Sequence, residues 1–245
     1  MPQPQTLAQQ QPSMLARLMA GIAERHPHIT AGPIDDAPSP DEPGHPEFHR
    51  RRRAEFALTR WRAAAPQRYQ DATATHPAIH TWADAAARDI TAAGFLVLTG
   101  PVGSGKTHQA YGALRRVAEA GPKRFEMIAA TAPDLYGRLR PGGSMQGTEA
   151  DLARLCRIPL LLLDDLGTEK LSEWTEEITY RLINARYNEC LPLIVTTNYP
   201  VRAAGQGQPD LVTRLGDRLA SRLAQTATVI HIDGPDLRRT NRSSA

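Results

Sequence analysis

Cysteine is almost absent: Cys156 and Cys190 are the only two among 245 residues. They lie far apart and neither belongs to a C-x-x-C pair, which excludes a zinc ribbon and a disulfide framework and suits a reducing cytoplasm. Long apolar runs are missing too. No stretch approaches the ~18 residues of a membrane span, and the opening Met-Pro-Gln-Pro-Gln has no basic segment leading into an apolar one. The expectation is a soluble, cytoplasmic protein that is not exported and has no membrane partner. Nor does one sign of charge dominate. With 29 Lys+Arg against 26 Asp+Glu the net charge is +3, too small to identify a nucleic-acid binder, so local clusters must make that case. The length accommodates one α/β domain with a small appendage.

What is present is organised around residues 95–107, Phe-Leu-Val-Leu-Thr-Gly-Pro-Val-Gly-Ser-Gly-Lys-Thr. A short apolar run of strand length stops at Gly100, and helix-forming residues follow Thr107. This is the G-x-x-x-x-G-K-[ST] phosphate loop in its required context, strand before and helix after. Its glycines let successive backbone N–H groups turn inward toward phosphate oxygens. Lys106 reaches the β and γ phosphates, Thr107 offers its hydroxyl to Mg²⁺, and the start of the following helix adds partial positive charge. The candidate nucleotide-binding residues are Gly100, Pro101, Val102, Gly103, Ser104, Gly105, Lys106, Thr107 and His108, with ATP and Mg²⁺ as the implied cofactors.

The unbroken apolar run 158–163 reads as a central parallel strand covered on both faces, with Pro159 tolerated at its start. It ends in Asp164-Asp165, which such a sheet places in the crevice beside the phosphate loop. Asp164 is the candidate for the Mg²⁺ shell and Asp165 for polarising the attacking water; buried strand-end carboxylates with a purely structural role are the alternative. The strand 193–197 ends in Asn198, a polar group directed to the same place. Residues 210–225 read as one helix with Leu211, Leu215, Leu219 and Leu223 at four-residue spacing and Arg214, Arg218 and Arg222 on an adjacent stripe. A row of arginines bordering a leucine seam suits an interface where a guanidinium enters a neighbour's nucleotide site, solvated arginines being the alternative.

Around this core, residues 1–12 read as a disordered Gln- and Pro-rich tail. Residues 13–65 form a helical N-terminal region with a linker. Within it Ser13 is an N-cap, and Leu15, Leu18, Met19 and Ile22 share one face of a short helix that must dock, either on its own domain or on a partner. Residues 26–46 are the linker. A second helix, 47–65, carries Arg50, Arg51, Arg52 and Arg53, then Arg60, Trp61 and Arg62. It reads equally as a solvated basic face, with Phe56, Leu58 and Trp61 buried, or as a nucleic-acid contact with Phe56 or Trp61 stacking on bases. The ATPase core is expected over 66–240, with helices at 76–93, 107–120 and 133–139, strands at 124–130 and 228–232, a glycine-rich loop at 138–147, and a tail at 241–245.

The phosphate loop, Asp164-Asp165, Asn198 and the late arginines, in this order, resemble AAA+ ATPases of the initiator group. The chain looks most like helicase loaders of the DnaC/DnaI type and IstB-type transposition helpers. The likeness rests on residues 100–107, on Leu-Leu-Leu-Asp-Asp-Leu-Gly followed by Trp174 and Arg186-Tyr187, on Ile-Val-Thr-Thr-Asn, and on Leu-Gly-Asp-Arg-Leu-Ala-Ser-Arg-Leu. It implies an α/β P-loop fold, a parallel sheet flanked by helices without a C-terminal helical lid. It further implies that Asn198 is sensor 1, that Arg222 is the arginine finger with Arg218 as its neighbour, and that Arg238, or its rival Arg239, acts like sensor 2. No metal-ligand set matches the N-terminal zinc module of some loaders. The function implied is ATP hydrolysis in a homo-oligomer formed with ATP, which loads a replicative DNA helicase on single-stranded DNA. Delivery of target DNA to a transposase is the alternative, and a small-molecule kinase a remote one.

Overall fold

The computed structural model describes residues 14–25, 38–140, 142–143, 147–168, 172–202, 209–234 and 236. The chain divides into two compact units, Met1–His45 and Pro46–Ala245. In the first, helix α1 spans Met14–Arg25, and the turn at 39–42 is closed by the Ser39 amide donating to Glu42 Oε2 at 2.8 Å. Ser13, the expected N-cap, and the tail 1–12 lie outside the described residues, as do the side chains of Leu15 and Met19. Those of Leu18 and Ile22 are exposed.

The second unit is built on a parallel sheet of five strands, β1 (Phe95–Thr99), β2 (Met127–Thr131), β3 (Leu160–Asp164), β4 (Leu193–Thr196) and β5 (Ala227–His231), in the order β2-β3-β4-β1-β5. The inner strands are apolar without alternation because both faces are covered. Leu96 and Leu98 of β1, Leu160 and Leu162 of β3 and Ile194 of β4 pack into one core. Their neighbours Phe95, Val97, Leu161, Leu163, Leu193 and Val195 pack into the other.

Helices α2 (Pro46–Ala64), α3 (Pro77–Arg88) and α4 (Lys106–Glu119) cover the first face, and α5 (Ala132–Leu139), α6 (Thr148–Arg157), α7 (Glu173–Asn188), α8 (Leu211–Leu215) and α9 (Asp217–Thr226) lie with the second. The unit begins at Pro46 and so includes α2, which the sequence reading groups with the N-terminal region.

Several elements differ from expectation. The helix expected to reach residue 93 stops at Arg88, because Asp89 turns extended (φ −146°) and its carboxylate caps a short 3₁₀ turn over Ile90–Ala92. Two helices, α6 and α7, fall where the sequence reading assigns no element. The expected helix 210–225 is two helices, broken at Gly216, whose φ of 82° suits glycine. Leu211, Leu215, Leu219 and Leu223 are all buried in the unit's own second core. Among the described residues no helix follows β5. Residues 241–245 and part of the 138–147 loop lie outside the described residues.

Candidate functional site

Parallel pairing aligns the C-terminal ends of β1, β3 and β4, and each end delivers chemistry. Thr99 leads straight into the phosphate loop, whose Gly103 and Gly105 take φ of 84° and 94°, values side chains rarely tolerate. Gly105 also caps α4, so the loop turns directly into a helix N-terminus, where anions are favoured. Lys106 is buried, and its Nζ spans the loop to donate to the carbonyls of Gly100 (3.0 Å) and Pro101 (2.7 Å). Ser104 Oγ lies buried beside Gly100 with no hydrogen-bond partner among the described residues. A buried hydroxyl left in this way is a donor awaiting an acceptor, and a phosphate oxygen supplies one. The donor set therefore fits a nucleotide phosphate.

The two carboxylates at the end of β3 face different partners. Asp164 Oδ1 accepts from Thr107 Oγ1 at 2.9 Å and from Thr196 Oγ1 at 2.5 Å. Burial pushes its carboxyl above the usual range, partly offset by those two hydroxyls; the nearby Asp165 raises it further and Lys106 lowers it. Asp165 takes a positive φ of 60°, a conformation that is held only where neighbours over-determine it. Here its amide donates to Thr196 Oγ1 at 2.9 Å and its Oδ1 accepts from Asn198 Nδ2 at 3.0 Å. Lys106, Thr107, Asp164, Asp165 and Asn198 thus gather at the strand ends as expected. Thr107 Oγ1 and the Asp164 carboxylate are adjacent hard oxygen donors, the type that suits Mg²⁺.

The remaining predicted residues lie elsewhere. His108 turns away from the loop: its Nε2 accepts from the Thr73 amide at 3.3 Å, while Gln109 exchanges hydrogen bonds with Thr75. Both side chains fasten the segment 72–75 across α4, where Gly112 leaves no room for a Cβ, which would stand 2.2 Å from the Ala74 nitrogen. Arg222 lies over the rings of Tyr180 (5.1 Å) and Tyr187 (5.6 Å) on α7. Arg214 sits over Tyr199 at 4.5 Å. The side chain of Arg218 and all of Arg238 and Arg239 lie outside the described residues. The chain after β5 does return to the phosphate loop. Ile232 donates to Thr99 O at 2.8 Å, and the Asp236 side chain packs where a Cβ on Gly103 would stand.

Thr196 is the residue the sequence reading missed. Buried at the end of β4, it bonds Asp164 and the Asp165 amide together, and its signal lay in the Thr-Thr that precedes Asn198. Thr196→Val keeps the shape but leaves the half-buried Asp165 amide without this acceptor and the half-buried Asp164 carboxylate with one donor fewer. The expected loss is about 1–3 kcal/mol, read from urea unfolding. Its pH dependence follows from the sign of the Asp164 shift. A carboxyl whose native pKa is raised favours the fold below its unfolded pKa, and that advantage is lost as pH climbs through the native one. Removing the Thr196 hydroxyl weakens the ionised form specifically, so the deficit of the variant is largest at neutral pH and shrinks on acidification.

The family model described as IstB-like ATP binding protein matches residues 69–245. A protein of Sinorhizobium fredii described as an insertion sequence ATP-binding protein is 27% identical over 150 residues, 61% of this chain and 48% of that protein. An ATP-binding protein in an insertion sequence of Mycobacterium tuberculosis is 30% identical over 159 residues, covering 64% of this chain and 61% of its own length. The chain therefore spans only about half to three fifths of these relatives. Among solved structures, the DnaC helicase loader is 26% identical with a TM-score of 0.55, the match covering 69% of this chain and 100% of that one.

Proposed function

This chain belongs to the IstB-like ATP-binding family, and on that premise we propose that it is an ATPase that loads a replicative hexameric helicase onto single-stranded DNA. Its parallel five-stranded sheet with flanking helices is the AAA+ P-loop fold. The likeness to the solved DnaC helicase loader supports the loader reading, and the insertion-sequence relatives support a transposition helper. The helper remains the second reading, because those relatives come from insertion sequences.

In this reading the phosphates of ATP lie in the loop, held by its amides, by Ser104 Oγ and by Lys106, which exchanges its carbonyl partners for phosphate oxygens. Thr107 and Asp164 would hold Mg²⁺, which when bound neutralises charge on the β and γ phosphates. Asp165, fixed by Asn198 and Thr196, polarises the attacking water. Arg222 serves the site of a neighbouring subunit in an ATP-dependent homo-oligomer, and the exposed Leu18 and Ile22 of α1 contribute to the contact with the helicase. Arg238 or Arg239, following the segment that returns over Gly103, completes the nucleotide contact.

Asp165→Asn is expected to bind ATP normally and to lose at least about a hundredfold in turnover, the lower range for a lost general base. Arg222→Ala leaves ATP affinity unchanged and lowers turnover of the assembly; steady-state hydrolysis beside nucleotide titration separates the two. The reading itself is tested by capture of partners from native cells with ATP and Mg²⁺, comparing the full chain with one beginning at Pro46. A replicative helicase retained only by the full chain establishes the loader and places its contact before Pro46. A transposase in its place transfers the ATPase to target-site delivery.

A further inference from the structure

The arginines of α2 divide into two groups that the sequence could not separate. Arg50 and Arg53 face inward. Arg50 pairs with Glu47 (2.6 Å) and donates to Glu119 O at 3.3 Å, and Arg53 Nε donates to Gly121 O at 2.9 Å. Both are spent on docking α2 to the C-terminal end of α4, where orphan carbonyls favour cations. Trp61 completes that docking: it is 1% exposed and its indole N–H donates to Tyr111 O at 3.2 Å. On the outer side, Phe48, Arg52, Phe56 and Arg60 recur every fourth residue and therefore form one stripe along the helix. Arg52 lies over Phe48 at 5.9 Å and Arg60 over Phe56 at 5.0 Å. Phe56 is 59% exposed, so the core does not account for it: Ala57 and Trp61 fill that role. Arg62 flanks the stripe and is exposed, Arg51 is held by Glu47 at 3.2 Å, and Glu55 is the acidic exception.

We infer that this face of α2 is a single-stranded nucleic-acid platform, in which Phe56 stacks on an unpaired base while Arg52 and Arg60 contact the phosphates on either side. The inference rests on the loader reading and adds to it the surface that holds the strand. Charge complementarity fits a polyanion: Arg52, Arg60 and Arg62 are exposed on this side against the one exposed Glu55. The alternation of guanidinium and ring chooses the single strand. An aromatic side chain lying on a helix surface reaches a base face only where bases are unpaired, whereas a duplex engages the arginines alone. Phe48 and Phe56 stand about 12 Å apart along the helix at its usual rise, far enough to serve separate bases.

The test is fluorescence anisotropy of the full chain with ATP, titrated into a labelled oligo(dT) and a labelled duplex over a series of salt concentrations. Phe56→Ala is expected to weaken oligo(dT) binding about five- to 150-fold, the range for one lost stacking contact, and Phe56→Trp to restore it. Arg52→Ala with Arg60→Ala flattens the slope of log affinity against log salt by roughly 1.4, about 0.7 for each lost phosphate contact. ATP affinity and the urea midpoint stay at wild-type values in all variants, which separates a lost contact from a damaged fold. Unchanged oligo(dT) binding by Phe56→Ala overturns the platform and leaves the loader reading standing. A preference for duplex that responds to the arginines and not to Phe56 overturns it in favour of target-DNA delivery. Absence of oligo(dT) binding by the wild-type chain overturns both.

Discussion

Lys106→Ala lowers the affinity for ATP by about 2–5 kcal/mol, roughly 30- to several-thousand-fold, measured by calorimetric titration of the full chain. The size follows from where the ammonium sits. Lys106 is 7% exposed, at the first turn of α4, and its Nζ crosses the loop to the carbonyls of Gly100 and Pro101. Binding ATP replaces these neutral acceptors with charged phosphate oxygens, and charge-assisted hydrogen bonds are roughly twice as strong. Truncation removes the cation and leaves the incoming phosphate charge uncompensated in a poorly hydrated cradle. Wild-type affinity in the variant would remove the phosphate-loop assignment. The folded state itself changes little, because the glycine-dependent path of the loop does not depend on this side chain.

Arg186→Ala is expected to destabilise the unit by about 3–5 kcal/mol, visible as a lowered urea midpoint. Arg186 is fully buried in α7, and burial lowers its pKa to about 10, so it stays charged at neutral pH. It donates to the carbonyls of Leu155 (2.9 Å), Ile158 (2.8 Å), Pro159 (3.1 Å) and Pro192. The last two of these precede β3 and β4 immediately, so one guanidinium ties the entrances of the strands whose far ends carry Asp164 and Thr196. Alanine leaves four buried acceptors without this donor and opens a cavity. Arg186→Lys recovers part of the loss, since a single ammonium cannot reproduce the planar fork. A variant at wild-type stability would show that water or local rearrangement satisfies those carbonyls.

Arg186 and Thr196 owe their roles to contacts that no local sequence pattern carries. Arg186 sits in a helix that the sequence reading does not assign, and its role depends on the carbonyls of Leu155, Ile158 and Pro159 well upstream in the chain and of Pro192 just downstream. Thr196 is one residue from the expected end of its strand, yet its hydroxyl matters only because β3 pairs beside β4. The leucines of 211–223 keep helical spacing through a break at Gly216, so spacing alone reads one helix where there are two. Phe56 and Trp61, five residues apart on α2, were indistinguishable as buried or stacking groups. The structure buries Trp61 and exposes Phe56.

What the sequence determined by itself is the chemistry carried by contiguous residues: the phosphate loop over 100–107, the acidic end of the 158–163 run, and the polar end of the 193–197 strand. Each depends on backbone propensities and side-chain types within a few residues, and these act before any distant part of the chain is in place. The tertiary structure decided which way side chains face and which distant groups meet. It set the parallel order that brings β1, β3 and β4 together, the division of the α2 arginines into docking and exposed sets, and the placing of Arg222 over Tyr180 and Tyr187. These are angles and long-range pairings, and they are settled only when burial of two apolar cores fixes helices α2 to α9 against the sheet.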